Sequence, residues 1–150
     1  MSSTAKRLAS YYIEVAAQTN DIIRGLQALA IVYSTLRAYA TQTQKTIKMK
    51  GDDVPISLIL ERRLQQLTNF RENIKPENSS SIGFYSPTYT FEYLPPKIHS
   101  QYLRFLQDAA YWLTILNLGD SDVFDISKLV AGKTAGSHEE EEDEEDDDTY

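Results

Sequence analysis

The chain has 150 residues and a formal net charge of -7, and 41% of its side chains are hydrophobic, 11% aromatic and 25% charged. This size and composition predict one soluble globular domain, and they exclude a fibrous chain or one that is disordered throughout. Because cysteine is absent and only His99 and His138 are histidines, the sequence offers neither a disulfide framework nor an all-protein zinc site.

The N-terminal segment has neither the pattern of a signal peptide nor that of a membrane span. Residues 1–17 carry Lys6, Arg7 and Glu14 among their apolar residues, and the chain has no run of about 18 apolar residues. We therefore expect no membrane span and a cytoplasmic or nuclear location.

Residues 3–50 predict one long helix, or two helices broken near Thr19, Asn20 and Asp21. Gly25 is the only glycine in this stretch, which contains no proline, and the apolar residues recur in alternating steps of four and three. The resulting heptad-like stripe is wide, which favours burial in a bundle over a two-stranded coiled coil. Its members are Leu8, Tyr12, Val15, Ile22, Leu26, Leu29, Tyr33, Leu36 and Ala40.

A second helix is predicted over residues 55–75. Asp52 or Asp53 is placed to cap its first amides, Pro55 suits its first turn, and Pro76 ends it. Its predicted inner face consists of Ile56, Leu60, Leu64, Leu67, Phe70 and Ile74. Its predicted solvated face consists of Glu61, Arg62, Arg63, Gln65 and Gln66.

Cations gather where these two predicted helices meet, at Lys45, Lys48, Lys50, Arg62 and Arg63. We interpret the lysines as helix-end cations that offset the helix dipole. The chain outside its acidic run is far less basic than nucleic-acid-binding domains usually are, so we expect no direct nucleic-acid binding.

An aromatic segment follows over residues 77–96. Tyr89, Phe91 and Tyr93 alternate with polar residues, which predicts a loop or a short β-hairpin that turns back on Phe84 and Tyr85. Tyr85, Tyr89 and Phe91 are candidate partner-binding residues if their rings project from the fold, because aromatic side chains are enriched at interface cores.

A third long helix is predicted over residues 97–118, and a short last helix over residues 123–130. The inner residues of the third helix are expected to be Ile98, Tyr102, Phe105, Leu106, Ala109, Trp112, Leu113 and Leu116. The predicted fold class is therefore all-α, a bundle of three to four helices whose first helix is long or is a helix pair.

The negative charge is concentrated at the C-terminal end. Of the 22 acidic side chains, ten are consecutive at positions 139–148, and the other 12 against 15 basic side chains leave +3 for the rest. We expect a helical bundle over residues 1–131 and a flexible linker with a disordered acidic tail over residues 132–150. The acidic run consists of Glu139, Glu140, Glu141, Glu142, Asp143, Glu144, Glu145, Asp146, Asp147 and Asp148.

No catalytic or metal-binding constellation emerges from the residue pattern. Residues 120–131 begin like a calcium loop, but Phe124 and Asp125 occupy the positions of an oxygen ligand and of the turn glycine. His99 is the only candidate base in the predicted folded part, and no nucleophile is placed beside it. We expect no enzymatic activity, no cofactor and no metal.

The sequence thus predicts a protein-interaction module that serves as a subunit or adaptor of a larger assembly. Its candidate partner-binding or self-association residues on the helix stripe are Leu8, Tyr12, Val15, Ile22, Leu26 and Leu29. The acidic tail would keep the protein soluble or bind basic partners. The alternative is a chaperone of basic proteins, histone-like or nucleic-acid-binding, in which the tail is the active element.

Overall fold

The computed structural model describes residues 2–74 and 89–118, with side chains from Thr4 onward. This part of the chain is mostly helical, with four α-helices and a small two-stranded antiparallel sheet. In chain order the elements are α1 (Ser2–Gln18), α2 (Ile22–Thr43), β1 (Thr46–Met49), β2 (Asp52–Pro55), α3 (Ile56–Glu72), a 3-10 turn (Phe91–Tyr93) and α4 (Pro96–Ile115).

The long N-terminal helical stretch is two helices, which resolves the alternative left open by the sequence. The break lies at residues 19–21, where the Asp21 carboxylate accepts hydrogen bonds from the amides of Ile23, at 2.9 Å, and Arg24, at 3.3 Å. A carboxylate in this position satisfies amides that have no partner within the helix, so Asp21 begins α2 as its N-cap.

A β-hairpin replaces the end of the predicted first helix, so the expectation that this helix continues to Lys50 is wrong. α2 ends at Thr43, and Gln44 adopts a left-handed conformation with φ 55°. β1 and β2 then pair antiparallel through a two-residue loop, Lys50 and Gly51, with φ values of 53° and 88°. Two successive positive φ values are typical of a type I′ turn, which matches the twist of a hairpin.

The beginning of α3 also differs from the prediction. Asp52 and Asp53 belong to β2 and do not cap the helix, while Pro55 ends the strand and occupies the N-cap position. α3 itself, Ile56–Glu72, and α4, Pro96–Ile115, confirm the second and third predicted helices to within a few residues. The predicted last helix, residues 123–130, lies outside the described residues.

The hydrophobic core surrounds α2, which packs against α1, α3 and α4. Two tyrosines hold α4 in place with their hydroxyl groups. The Tyr102 hydroxyl donates to the carbonyl of Ala16 in α1, and the Tyr33 hydroxyl of α2 donates to the carbonyl of Phe105 at 2.8 Å. Because α2 is enclosed on these sides, its inward residues have no free surface to offer.

Gly25 allows α2 and α4 to approach closely. A Cβ atom at this position would lie 2.0 Å from the Tyr102 hydroxyl oxygen, a distance that real contacts do not reach. Close packing therefore explains why a glycine stands inside this helix, although glycine lowers helix stability by about 1 kcal/mol relative to alanine. None of the helices in the described part of the chain is both long and apolar enough to cross a membrane.

Candidate functional site

The predicted stripe divides at the break between α1 and α2. On α2, Ile22, Leu26 and Leu29 are fully buried and belong to the hydrophobic core. These three side chains are therefore not accessible to a partner. The predicted stripe residues that reach the surface lie on α1.

On α1 the inward face is formed mainly by alanines. Ala9, Ile13 and Ala16 are completely buried, in steps of four and three residues along the helix. Leu8 stands one residue before Ala9, about 100° around the helix, and is 43% exposed. A helix that uses small residues inward can approach its neighbours closely, and its larger apolar residues then lie at the side.

We define the α1 stripe as Leu8, Tyr11, Tyr12 and Val15, the apolar residues beside that inward face. Tyr11 is the most accessible member at 61% exposed, and its ring meets that of Tyr12 edge to face at 4.9 Å. Tyr12 and Val15 are half-buried and pack against the core. The stripe is therefore an apolar surface held in place by its own half-buried residues.

Charged residues border one edge of the α1 stripe. Arg7 and Glu14 precede Leu8 and Val15 by one residue each, and both are exposed. Because they are seven residues apart, they have nearly the same angular position, two turns from one another. One positive and one negative side chain therefore stand on the same edge of the stripe, near its two ends.

In its described part, residues 89–96, the aromatic segment packs inward at Phe91. Phe91 is buried, with its ring centroid 4.8 Å from the rings of both His99 and Tyr102. Because Phe91–Tyr93 forms a 3-10 turn, the predicted short strand is wrong there, although Thr90 makes an isolated antiparallel bridge with Asp21. Tyr89 is half-buried and Tyr93 exposed.

His99 contacts the protein as a packed ring. It stacks on Phe91 with an angle of 30° between the ring planes and is half-buried at the beginning of α4. This contact explains the position of the histidine by aromatic packing at the end of the core. Other predicted candidates, Tyr85 and the acidic residues 139–148, lie outside the described residues.

A buried ion pair joins α3 to α4, and the sequence did not predict it. The Arg63 Nε atom lies 2.9 Å from the Asp108 carboxylate. The Tyr33 hydroxyl, also 2.9 Å from that carboxylate, shares its one proton between the carboxylate and the Phe105 carbonyl. Arg63 was expected on the solvated face but is buried. The sequence spacing could have indicated this burial, because Arg63 follows Leu60 by three residues and precedes Leu67 by four, which places it on the same helix face as these leucines.

This ion pair has the chemistry of a structural cluster. Its carboxylate is met by a guanidinium and a phenol, so the negative charge is compensated and hydrogen-bonded inside the protein. Because Arg63 is buried, it does not contribute an exposed charge to the cations predicted where the first two helices meet. Lys48, another of those cations, lies on β1, where its ammonium is 3.4 Å from the Asp53 carboxylate.

An open groove of about 620 Å³ runs between α2 and α3. Its apolar lining includes Leu26, Ala30 and Leu67, and its polar lining includes Arg71 and Glu72. Among residues 2–74 and 89–118, no cluster of three or more histidine, cysteine, aspartate or glutamate side chains is placed to hold a metal ion. The groove and the α1 stripe are the two candidate binding surfaces in this part of the chain.

No protein-family model, curated protein or solved structure matches this chain. The α1 stripe has two large exposed apolar side chains, Leu8 and Tyr11, whereas Leu26 and Leu67 of the groove are buried and its Ile31 is 38% exposed. The α1 stripe is the candidate functional site.

Proposed function

We propose that this protein is a non-enzymatic, helical protein-interaction module, which acts as a subunit or adaptor of a larger assembly through the α1 stripe. The observation that carries the proposal is the adjacent exposure of Leu8 and Tyr11, at 43% and 61%, on a helix that already has a complete inward face. Contiguous exposed apolar side chains beside charged residues are typical of protein-binding surfaces.

The rigidity of the α1 stripe supports the same proposal. Tyr12 and Val15 anchor it to the core, and α1 packs against both α2 and α4. A surface that is already ordered loses little conformational entropy when a partner binds, so more of the contact energy appears as affinity.

The acidic run has a separate role in this proposal. Ten consecutive negative charges favour solubility and attract basic proteins over a distance of about one Debye length, roughly 8 to 10 Å. If that attraction were the main activity, the protein would be a chaperone of basic proteins, with the helical part as its carrier.

Partner capture with three variants of the full chain tests the proposal. One variant combines Leu8→Ser with Tyr11→Ser, and one lacks residues 137–150. The matched control combines Leu58→Ser with Tyr111→Ser, because these residues are 55% and 50% exposed on α3 and α4. Each tagged protein is incubated with a native extract, and bound proteins are quantified by mass spectrometry.

We expect the Leu8→Ser/Tyr11→Ser variant to lose the specific partners, and the control and the shortened chain to retain them. Loss of basic partners on removal of residues 137–150 alone would instead favour the chaperone. Equal capture by all variants would contradict a role for the α1 stripe, and thermal unfolding of each variant checks that the fold is intact.

A further inference from the structure

The α1 stripe is complementary to itself. Leu8 and Tyr11 form its exposed apolar centre, and Arg7 and Glu14 stand on one edge, near its two ends. When two helices pack antiparallel about a two-fold axis, residues on one edge of the first helix face residues on the same edge of the second. A second copy of this helix would therefore place Arg7 opposite the partner's Glu14 and Glu14 opposite the partner's Arg7.

The apolar residues fit the same arrangement. With the two-fold axis near position 10, Leu8 lies opposite the partner's Tyr11 and Tyr11 opposite the partner's Leu8. In a parallel arrangement this edge of one helix would face the opposite edge of the other, so Arg7 and Glu14 would not meet across the contact. The charge pattern thus selects the antiparallel orientation.

We propose that a second copy of this chain binds to the α1 stripe, and that the two α1 helices pack antiparallel with Arg7 of each copy paired to Glu14 of the other. This inference deepens the proposed function and rests on it, because it names the partner of the same surface. The contact covers about two helical turns, which is small for a specific interface, so the dimer is expected to be concentration-dependent.

A charge exchange on the full chain tests this pairing. The variants are Arg7→Glu, Glu14→Arg and the double variant that carries both. Within one helix, residues seven apart lie about 10.5 Å apart along the axis and do not contact each other, so rescue in the double variant reports a contact between copies. Arg62→Glu and Glu61→Arg on the exposed face of α3 are matched controls for the change in net charge.

The readout is the mass in solution, measured by light scattering and sedimentation equilibrium up to about 1 mM protein, the range in which a weak contact is populated. We expect the unmodified protein to dimerise, each single variant to dimerise about tenfold more weakly, and the double variant to recover the original affinity. Circular dichroism confirms that the helices of each variant are intact.

Three outcomes would overturn the pairing: a monomer at every concentration, a double variant as weak as the single variants, or equal weakening by the α3 controls. None of these outcomes removes the proposed function, which fails only if the Leu8→Ser/Tyr11→Ser variant captures the same partners as the unmodified chain. The two experiments therefore fail independently.

Discussion

α1 and α2 carry the same heptad-like pattern, yet only α2 buries it. Leu29 of α2 is completely enclosed, whereas Leu8 of α1 is 43% exposed. α2 has neighbours in α1, α3 and α4, while the main packing of α1 is against α2 and α4. An apolar stripe therefore shows which face of a helix can be buried, and the helices packed against that face determine how much of it is buried.

Alanine substitutions of Leu29 in α2 and of Leu8 in α1 test this difference most directly. Replacing Leu29 by alanine is expected to lower the free energy of unfolding by about 4 kcal/mol, because the surrounding core cannot fill the cavity. Leu8→Ala should lower it by less than about 1 kcal/mol, since the side chain keeps much of its contact with water. Urea unfolding of both variants measures the difference, and similar losses would contradict the assignment of Leu8 to the surface.

The next largest effect concerns the ion pair that holds α3 and α4 beside α2. Asp108→Ala leaves the buried guanidinium of Arg63 without its carboxylate, and we expect a loss of about 3 kcal/mol in urea unfolding. The exposed pair of Lys48 and Asp53 provides the control, because Asp53→Ala should cost less than about 1 kcal/mol.

The double variant Arg63→Met/Asp108→Leu separates the cost of an unpaired buried charge from the contribution of the packing. Removing both charges together should restore much of the stability lost in Asp108→Ala, because no buried charge then remains without compensation. A double variant that is less stable than Asp108→Ala would show that the cluster stabilises the packing beyond its charge balance.

A smaller loss is expected at the close contact of α2 with α4. Gly25→Ala introduces a Cβ atom into the Tyr102 hydroxyl, and the expected loss is about 2 kcal/mol, although alanine is the better helix former. Ser34→Ala, at an exposed position of the same helix, should cause no loss. A stabilised Gly25→Ala variant in thermal unfolding would contradict the packing at this contact.

The smallest effect is a dependence of stability on alkaline pH. Burial raises the pKa of the Tyr102 hydroxyl above its ordinary value of about 10, so the unfolded chain releases this proton at a lower pH than the folded protein does. Stability should therefore fall as the pH rises above about 10, by up to about 1.4 kcal/mol per pH unit from this group.

Urea midpoints measured across this pH range give the slope, and Tyr102→Phe should make it shallower. Tyr93→Phe is the control, because Tyr93 is exposed and its removal should leave the slope unchanged. Identical slopes for the unmodified protein and Tyr102→Phe would show that the Tyr102 hydroxyl does not titrate differently in the two states.

Much of the helical structure could be predicted because it depends on local spacing. α3 and α4 followed from prolines and apolar periodicity, and the break near Asp21 was one of two alternatives that the sequence left open. The hairpin at residues 46–55 was missed because residues 46–50 contain no glycine or proline and were read as the end of the first helix. The decisive feature is a pair of positive φ values at Lys50 and Gly51.

The candidate site was predicted only in part. Leu8, Tyr12 and Val15 were selected by their spacing, whereas Tyr11, the most exposed member, was not among the stripe residues predicted from the sequence. Periodicity shows which residues share a face, but it cannot show that Ala9, Ile13 and Ala16 take the inward positions. That choice depends on how closely α2 and α4 approach.

The amino-acid sequence alone predicted that the described chain is mostly helical, where α3 and α4 begin and end to within a few residues, and where the charge is concentrated. These properties follow from backbone propensities and from counting side chains. Only the tertiary structure decided that α2 is enclosed, that Arg63 lies buried against Asp108, and that Leu8 and Tyr11 face outward. The reason is that burial depends on neighbours distant in the chain, whose approach is set by packing volume and by the need to pair buried polar groups.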